Sequence, residues 1–257
     1  MSDILLAFLV TLLAGLATGL GGAFVIFFKK TNMKILSLCL SFSAGVMIYI
    51  SFVEIFDKAK ESLSYEYGDD RGFLYASIAF FAGIALIAAI DKLIPHHEDE
   101  EDTHSAEKDS LERTGIMSAL AIAIHNFPEG IVTFMAVMHD PALGIAIAVA
   151  IAIHNIPEGI AISAPIYYST GSKKKALLLS VGSGITEPLG ALAAYLLLSQ
   201  FLNEGLMGIT FAVVGGIMVF ISFHQLLPAA HKFGEHHQVM KSLFAGMAVM
   251  ALSLLFI

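Results

Sequence analysis

The sequence has little charge for its size. Only 14% of its 257 residues are Asp, Glu, Lys or Arg, while 57% are hydrophobic, whereas about 25% of the residues in soluble domains are charged. The mean hydropathy is +0.79, and the apolar residues fall in long runs. Several runs exceed the roughly 18–20 residues that cross a hydrocarbon core about 30 Å thick. The composition therefore indicates an integral membrane protein in contact with the lipid bilayer, and no nucleic-acid partner is predicted.

Two further absences narrow the class. The alternating pattern of β-strands is missing, and lipid tolerates only helices or closed barrels, so the spans should be α-helices. The single cysteine, Cys39, excludes an intramolecular disulfide and a C-x-x-C metal site. The N-terminal apolar stretch lacks a preceding basic segment and is too long for a signal peptide. We interpret it as the first membrane span.

The apolar runs predict eight transmembrane helices in a single domain, 1–257. One long connection, 92–113, is polar and acidic and is predicted to be a flexible cytoplasmic loop. The predicted spans are about 4–28, 35–57, 73–91, 114–138, 142–166, 175–199, 206–229 and 241–257.

The basic residues predict the orientation of the spans. Eleven of the fourteen lie in connections on one side of the membrane, and an excess of Lys and Arg marks the cytoplasmic side. Both termini should therefore lie on the outer side. The eleven are Lys29, Lys30, Lys34, Lys92, Lys108, Arg113, Lys173, Lys174, Lys175, Lys232 and Lys241, and the other three are Lys58, Lys60 and Arg71.

Two repeats are visible. IAIHNFPEGI at 122–131 and IAIHNIPEGI at 151–160 share nine of ten residues. AGVMIYISFVEIF at 44–56 also resembles GGIMVFISFHQLL at 215–227, with chance similarity between apolar helices as the alternative. The paired spans cross in opposite directions, so we predict a 3+2+3 inverted-repeat arrangement. Secondary transporters with such repeats place their site near the midplane of the bilayer.

The decapeptides place polar side chains half-way through the membrane. About ten residues separate each motif from the turn at 139–144, which at 1.5 Å per residue is roughly 15 Å, or half the hydrocarbon thickness. Within each copy the His and Glu are four residues apart and share a helix face, with the Asn beside it. The six residues are His125, Asn126 and Glu129 in the first copy, and His154, Asn155 and Glu158 in the second.

A bound cation explains these residues better than packing does. A carboxylate at the bilayer centre costs at least about 2.5–3.5 kcal/mol, and two neighbouring carboxylates repel each other. A divalent cation neutralises both. Imidazole, carboxylate and amide donors without a thiolate favour labile binding of Zn²⁺ or Fe²⁺. The alternative is that the polar groups join helices through hydrogen bonds. Glu187 lies at a similar depth in span 6, with a bond to Thr186 as its alternative.

These residues resemble the ZIP (Zrt-, Irt-like protein) family of divalent metal transporters. The HNFPEG and HNIPEG pair carries the resemblance, which covers essentially the whole chain. It implies uptake of zinc, with iron, manganese, cobalt and cadmium as further substrates, across the inner (cytoplasmic) membrane. It also implies a homodimer. The inverted repeats predict alternating access around the midplane site, with channel-like movement as the alternative.

The resemblance further implies a binuclear metal centre. Some relatives carry Gln-Asp where this chain has His154-Asn155, which leaves open whether one or two metals bind. The implied first site consists of His125, Glu129, His154 and Glu158, with Met47 as an additional ligand. For Met47 the alternative is packing in a helix interface. The implied second site consists of Asn126, Asn155 and Glu187, with Glu129 and Glu158 bridging.

Polar residues outside the centre suggest a path to and from it. His224 and Gln225 on span 7, with Asp91 ending span 3, would form an exit site. Glu54 and Asp57 at the end of span 2 would form an acidic entrance, with solvated helix-end charge as the alternative.

The loop between spans 3 and 4 contains three histidines among acids, namely His96, His97 and His104. They suggest low-affinity metal capture, and a plain solvated linker is the alternative.

A membrane-embedded dimetal enzyme, a hydrolase or oxidase, is the alternative function, since two bridged metals can catalyse a reaction. The sequence has no H-E-x-x-H motif and no candidate nucleophile. A pseudo-symmetric repeat also favours a pathway over a one-sided active site. We therefore predict a transporter.

Overall fold

In the computed structural model, residues 3–24, 33–93, 104–198 and 203–255 are described, and within these ranges helices are the only regular structure. Two of the chain segments continue through short π-helical turns, at Ser51–Ile55 and Ser222–Leu226, and a third turn of this kind, Ala194–Leu198, follows α8. The helices are α1 (Asp3–Phe24), α2 (Met33–Ile50), α3 (Phe56–Tyr67), α4 (Asp69–Leu93), α5 (His104–His139), α6 (Pro141–Thr170), α7 (Lys173–Gly184), α8 (Thr186–Ala193), α9 (Glu204–Ile221), α10 (Leu227–Phe233) and α11 (His236–Leu254).

Six continuous helical segments in the described part of the chain are long and apolar enough to cross a membrane. The prediction of an all-α membrane protein is therefore confirmed. Helices α5 and α11, which correspond to predicted spans 4 and 8, are not among the six. The six segments are Asp3–Phe24, Ser37–Tyr67, Asp69–Lys92, Pro141–Thr170, Lys173–Leu197 and Glu204–Phe233.

Helix α5 differs from its predicted extent. It begins at His104 rather than near residue 114, so the last part of the predicted loop 92–113 is helical. The segment contains Ala, Glu, Lys and Leu, which are good helix formers. The sequence suggested a loop here because the segment is polar and its apolar residues do not recur at helical spacing. The intrinsic helix propensity of its residues nevertheless favours a helix.

A turn of one residue makes α5 and α6 antiparallel neighbours. Asp140 has extended backbone angles, and its side chain accepts hydrogen bonds from the N–H groups of Ala142, at 2.8 Å, and Leu143. Such a cap satisfies donors that the first helical turn leaves unpaired. Pro141 follows at the first helical position, where its missing N–H costs nothing. The sequence of this turn therefore stops one helix and starts the next.

The π-helical turns of the second and seventh predicted spans occur at matching places in the weaker repeat. Each begins at a serine whose hydroxyl donates to the carbonyl four residues earlier: Ser51 to Met47 at 2.6 Å, and Ser222 to Met218 at 2.8 Å. Such turns inside helices occur frequently at functional sites. The shared irregularity agrees with an inverted repeat, and the full 3+2+3 arrangement stays a prediction.

Glycines bring several helix pairs into backbone contact. A Cβ atom at Gly159 would lie 1.9 Å from the carbonyl oxygen of Thr18, and one at Gly21 would lie 2.0 Å from that of Ile156. The backbones of α1 and α6 therefore touch at Gly21 and Gly159, because glycine has no side chain to keep them apart. Small residues commonly allow such close approach between membrane helices. The same reciprocal contact joins α5 to α8 (Gly130, Gly190), α2 to α11 (Gly45, Gly246), α4 to α9 (Gly83, Gly216) and α1 to α7 (Gly15, Gly184).

With the one-residue turn between α5 and α6, these contacts connect α1, α5, α6, α7 and α8, which we name the first group. We name α2, α4, α9 and α11 the second group, in which glycines pair α2 with α11 and α4 with α9. The two pairs are connected through α3, which continues from α2 in one helical segment and whose Ala59 carbonyl oxygen would lie 2.8 Å from a Cβ atom at Gly208 on α9. Both decapeptides lie in the first group.

Candidate functional site

The polar residues of the two decapeptides lie inside the protein. Every one of them with a described side chain is completely buried, and so is the glutamate of α8. His125 lies in α5, but its side chain is outside the described part of the structure. The buried residues are Asn126, Glu129, His154, Asn155, Glu158 and Glu187.

A direct contact joins the two decapeptides. The Nε2 atom of His154 on α6 lies 3.0 Å from the Oε1 atom of Glu129 on α5. The antiparallel turn at Asp140 brings the first and second copies to the same level, so a histidine from one meets a glutamate from the other. The carbonyl of His154 also accepts a bond from the Ser43 hydroxyl at 3.4 Å, which places α2 beside this pair.

The two asparagines connect the decapeptides to α1, α7 and α8. Asn155 donates from Nδ2 to the carbonyl of Ala14 at 3.0 Å and to the carboxylate of Glu187. Asn126 donates from Nδ2 to the carbonyl of Ser183 at 3.3 Å. The amide oxygens of both asparagines are buried and have no hydrogen-bond partner among the described residues.

Buried polar atoms almost always have a partner, and leaving one without a partner costs about 1–3 kcal/mol. Two amide oxygens in this condition, one from each decapeptide, are suited to a cation or to water.

The position of Glu187 depends on a glycine. A Cβ atom at Gly130 would lie 1.9 Å from the backbone oxygen of Glu187, so α5 and α8 are in backbone contact where the carboxylate leaves its helix. The helix is interrupted at Ile185, three residues before Pro188, whose ring removes one helical donor. This interruption and this contact together place Glu187 beside Asn155.

The described side chains do not assemble a complete metal site. No group of three or more His, Cys, Asp or Glu with metal-binding geometry occurs among them. The structure brings together His154 with Glu129 and Asn155 with Glu187, while Glu158 is buried nearby on α6. Met47 is completely buried on α2, one turn from the Ser43 contact. The ligand sets implied by the resemblance remain predictions.

The residues of the predicted exit are in contact. Asp91 is buried at 5% exposure, and it accepts a bond from Gln225 Nε2 at 3.1 Å. His224 Nδ1 lies 3.6 Å from the other Asp91 oxygen, and its ring stacks on Phe220. Helix α4 and the second π-helical turn thus meet at an acid, an amide and an imidazole.

The predicted entrance is less compact. Glu54 is half-buried in the first π-helical turn, and Asp57 is exposed one turn later. Asp57 pairs with Lys60 at 2.8 Å, which is the solvated helix-end charge considered as its alternative. In the predicted metal-capture loop, His96 and His97 lie outside the described residues. His104 starts α5, and its side chain is not described.

Sequence reasoning missed the groups that hold the asparagines. The carbonyl of Ala14 has no signal in the sequence, because any residue could supply it. The bond that Asn126 donates likewise goes to a backbone carbonyl, that of Ser183, which any residue could supply. The Ser43 hydroxyl also went unnoticed, since serine is common in packed membrane helices.

We expect Asn155→Asp to destabilise the metal-free protein more than Asn126→Asp does. In Asn155→Asp, an amide nitrogen that donates hydrogen bonds to two oxygens is replaced by a carboxylate oxygen that faces both of them. The amide nitrogen of Asn126 donates to only one described oxygen. A buried group that loses its partner costs about 1–3 kcal/mol, and more when charged. Thermal unfolding in detergent with a chelator measures the difference. Equal midpoints for the two variants would show that the described bonds of Asn155 add nothing.

Known proteins are similar to this chain over nearly its whole length. The family described as "ZIP Zinc transporter" matches residues 3–115 and 94–254. The chain is 54% identical to "Zinc transporter ZupT" of Chlorobaculum parvum, with 99% of each chain covered. It is 52% identical to the protein of that name from Clostridium perfringens, covering 99% of this chain and 97% of the relative. For Streptococcus mutans the identity is 49%, with 97% and 96% covered.

All three relatives carry transporter names. The prediction of a transporter is therefore confirmed over a membrane-embedded dimetal enzyme. Matches of this extent and identity leave one conclusion about descent: the chain belongs to the ZIP zinc transporter family.

Proposed function

We propose that this protein carries Zn²⁺ across the inner membrane into the cytoplasm through a site formed by the two decapeptides. The observation that carries the proposal is the contact between His154 and Glu129, since it unites the two copies around completely buried carboxylates. Buried ionisable residues in a membrane span are costly and mark ion pathways. We take Zn²⁺ as the transported ion because the relatives are named zinc transporters.

The donor types support zinc and extend to other ions. An imidazole beside a carboxylate suits Zn²⁺ and Fe²⁺, while amide and carboxylate oxygens suit harder ions such as Mn²⁺. The first arrangement occurs at His154 and Glu129, and the second at Asn155, Asn126 and Glu187. We therefore propose a binuclear centre with zinc first, and iron, manganese, cobalt and cadmium as further substrates. His125 and Met47 are proposed as additional ligands of the first site, and Glu129 and Glu158 as bridges.

The helix packing supports alternating access. Backbone contacts at glycines hold helix pairs together within each group, and the turn at Asp140 and the segment Ser37–Tyr67 connect those pairs, so each group is suited to move as a unit. Two described polar contacts that cross between the groups are long: the hydrogen bond from Ser43 to the His154 carbonyl measures 3.4 Å, and His139 Nδ1 on α5 lies 3.6 Å from Glu204 Oε1 on α9. We propose that the first group, with the metal site, shifts against the second. Metal would enter past Glu54 and Asp57 and leave past Asp91, His224 and Gln225.

Three further proposals concern the orientation of the chain in the membrane, its homodimer and its cytoplasmic loop. The excess of basic residues supports an outer location for both termini. The apolar face of α4, with Phe73, Ile78 and Phe81 more than half exposed, suits lipid or a second copy in the proposed homodimer. The histidines at 96, 97 and 104 are proposed to capture metal loosely, and removing them should leave transport intact.

The proposal is tested by flux in proteoliposomes. Purified protein should accumulate Zn²⁺ inside vesicles down an imposed gradient, while protein-free vesicles should not. Competition by Fe²⁺, Mn²⁺, Co²⁺ and Cd²⁺ ranks the metals, and Mg²⁺, which is reluctant to shed its water, should compete poorly. If vesicles with correctly folded protein took up zinc no faster than empty ones, transport through this site would be ruled out.

A further inference from the structure

We propose a second, surface-exposed metal site formed by His231 at the end of α10 and His236 at the start of α11. The Nε2 atom of His231 lies 3.1 Å from the Nδ1 atom of His236. The ring centroids are 5.2 Å apart with their planes inclined by 33°. Two imidazole nitrogens therefore face each other across the turn that joins the two helices. Neither residue belongs to the buried centre or to the group around Asp91.

The orientation of His231 is suited to metal binding. Its Nδ1 atom lies 2.9 Å from the backbone oxygen of Leu227, which cannot donate, so Nδ1 carries the proton and donates. The Nε2 atom of the neutral ring is then an unprotonated acceptor pointing at His236. Metal-binding histidines commonly donate their other N–H to a carbonyl in this way, which fixes the tautomer and makes the ligand more basic.

The separation of the two nitrogens also suits a cation. Zinc binds imidazole nitrogen at about 2.0–2.1 Å in tetrahedral geometry, which places two nitrogens roughly 3.3–3.4 Å apart. The observed 3.1 Å is close to this value, so an ion can replace the shared proton after a small movement. Both side chains are exposed, and water can complete the coordination. Glu235 and His237 flank His236, and the ring of His237 lies 5.8 Å from that of His236.

Two ligands make a weak site. The described residues contain no cluster of three metal-binding side chains, and His236 lies in the first turn of α11, where the helix dipole disfavours a cation. The site should therefore bind Zn²⁺ reversibly and exchange it with solvent quickly.

The position of His231 and His236 near the predicted exit suggests a role in metal release, and this role rests on the proposed function. His231 follows His224 by seven residues on a continuous helical segment, about 10 Å or two turns further along. An ion leaving Asp91 and His224 on the predicted cytoplasmic side thus meets His231 and His236 next. We assign to this pair the transfer of the metal from the exit to soluble acceptors.

Zinc protection against histidine modification tests the site directly. Purified protein in detergent is treated with diethyl pyrocarbonate with and without Zn²⁺, and modification of each histidine is followed by peptide mass spectrometry. Zn²⁺ should slow modification of His231 and His236 together, while Mg²⁺ should not. In His231→Asn the protection of His236 should be lost, and in His237→Asn it should remain. Unchanged protection of His236 in His231→Asn would overturn the site.

A variant of the buried centre separates this site from the proposed function. In Glu129→Ala, protection of His236 by Zn²⁺ should persist even where uptake is lost. Its disappearance there would mean that the pair is not an independent site. The double change His231→Asn, His236→Asn should slow zinc uptake several-fold in proteoliposomes. Uptake equal to that of the unmodified protein would overturn the transfer role.

Discussion

Replacing Glu129 by Gln should remove nearly all zinc uptake while leaving the protein folded. A partner that only orients a metal ligand costs about 10–100-fold in metal affinity or activity when it is mutated, and a direct ligand should cost at least as much. Glutamine keeps the volume and can still accept a bond from His154 through its amide oxygen. It removes the negative charge that a divalent cation requires in a buried place.

The thermal stability of the metal-free protein should not fall with uptake in Glu129→Gln. An ionised carboxylate inside the bilayer is costly, so neutralising it should hold or raise the unfolding midpoint measured without metal. The same change should remove most of the stabilisation that added Zn²⁺ gives, because a ligand stabilises only the state that binds it. Uptake assays and thermal unfolding on one preparation measure both effects.

Glu61→Gln is the matched control. Glu61 is exposed on α3 and pairs with Lys58 at 3.1 Å, and exposed pairs contribute about 0–1 kcal/mol. Its uptake and zinc response should equal those of the unmodified protein. Should Glu129→Gln transport zinc as fast as Glu61→Gln, the carboxylate of Glu129 would have no part in the pathway.

Gly130→Ala should both destabilise the protein and reduce transport. Its new Cβ would lie 1.9 Å from the backbone oxygen of Glu187 and 2.8 Å from its Cα, so backbone must move. Overpacking of a filled interior costs about 1–3 kcal/mol, and occasionally more. The displaced segment carries Glu187, so uptake should fall further than the loss of folded protein explains.

Gly182→Ala gives a comparison with the same chemical change. Gly182 lies in α7 with no atom within 4 Å of its added Cβ, and replacing glycine by alanine inside a helix favours the helix by about 1 kcal/mol. The unfolding midpoint should therefore hold or rise, and uptake should not change. Equal unfolding midpoints for Gly130→Ala and Gly182→Ala would mean that α5 and α8 can separate enough to accommodate a methyl group without loss of stability.

The sequence predicted the parts of this molecule that depend on local pattern. Apolar runs predicted membrane helices, and an i, i+4 spacing predicted that the His and Glu of one copy share a face. The contact that the structure describes, however, joins His154 to the glutamate of the other copy. Local spacing could not predict it, because the distance depends on how α5 and α6 rotate against each other.

Other features depended on tertiary contacts. The carbonyl of Ala14 became a partner of Asn155 only through the approach of α1 to α6, which Gly21 and Gly159 permit. The pairing of helices by reciprocal glycine contacts joins segments that are distant in sequence, so no single stretch of the chain could have predicted it. The contact of His231 with His236 needed the turn between α10 and α11 to bring the two rings together, although three histidines within seven residues were visible.

The one-residue turn at Asp140 bears on how the chain enters the membrane during synthesis. Presented singly to lipid, each decapeptide would bring a carboxylate that costs about 2.5–3.5 kcal/mol even on insertion scales. Because α5 ends at His139 and α6 begins at Pro141, the two can insert as one hairpin. Glu129 then meets His154 while both are being inserted, and the polar residues that would carry the metal shield one another from lipid before any metal arrives.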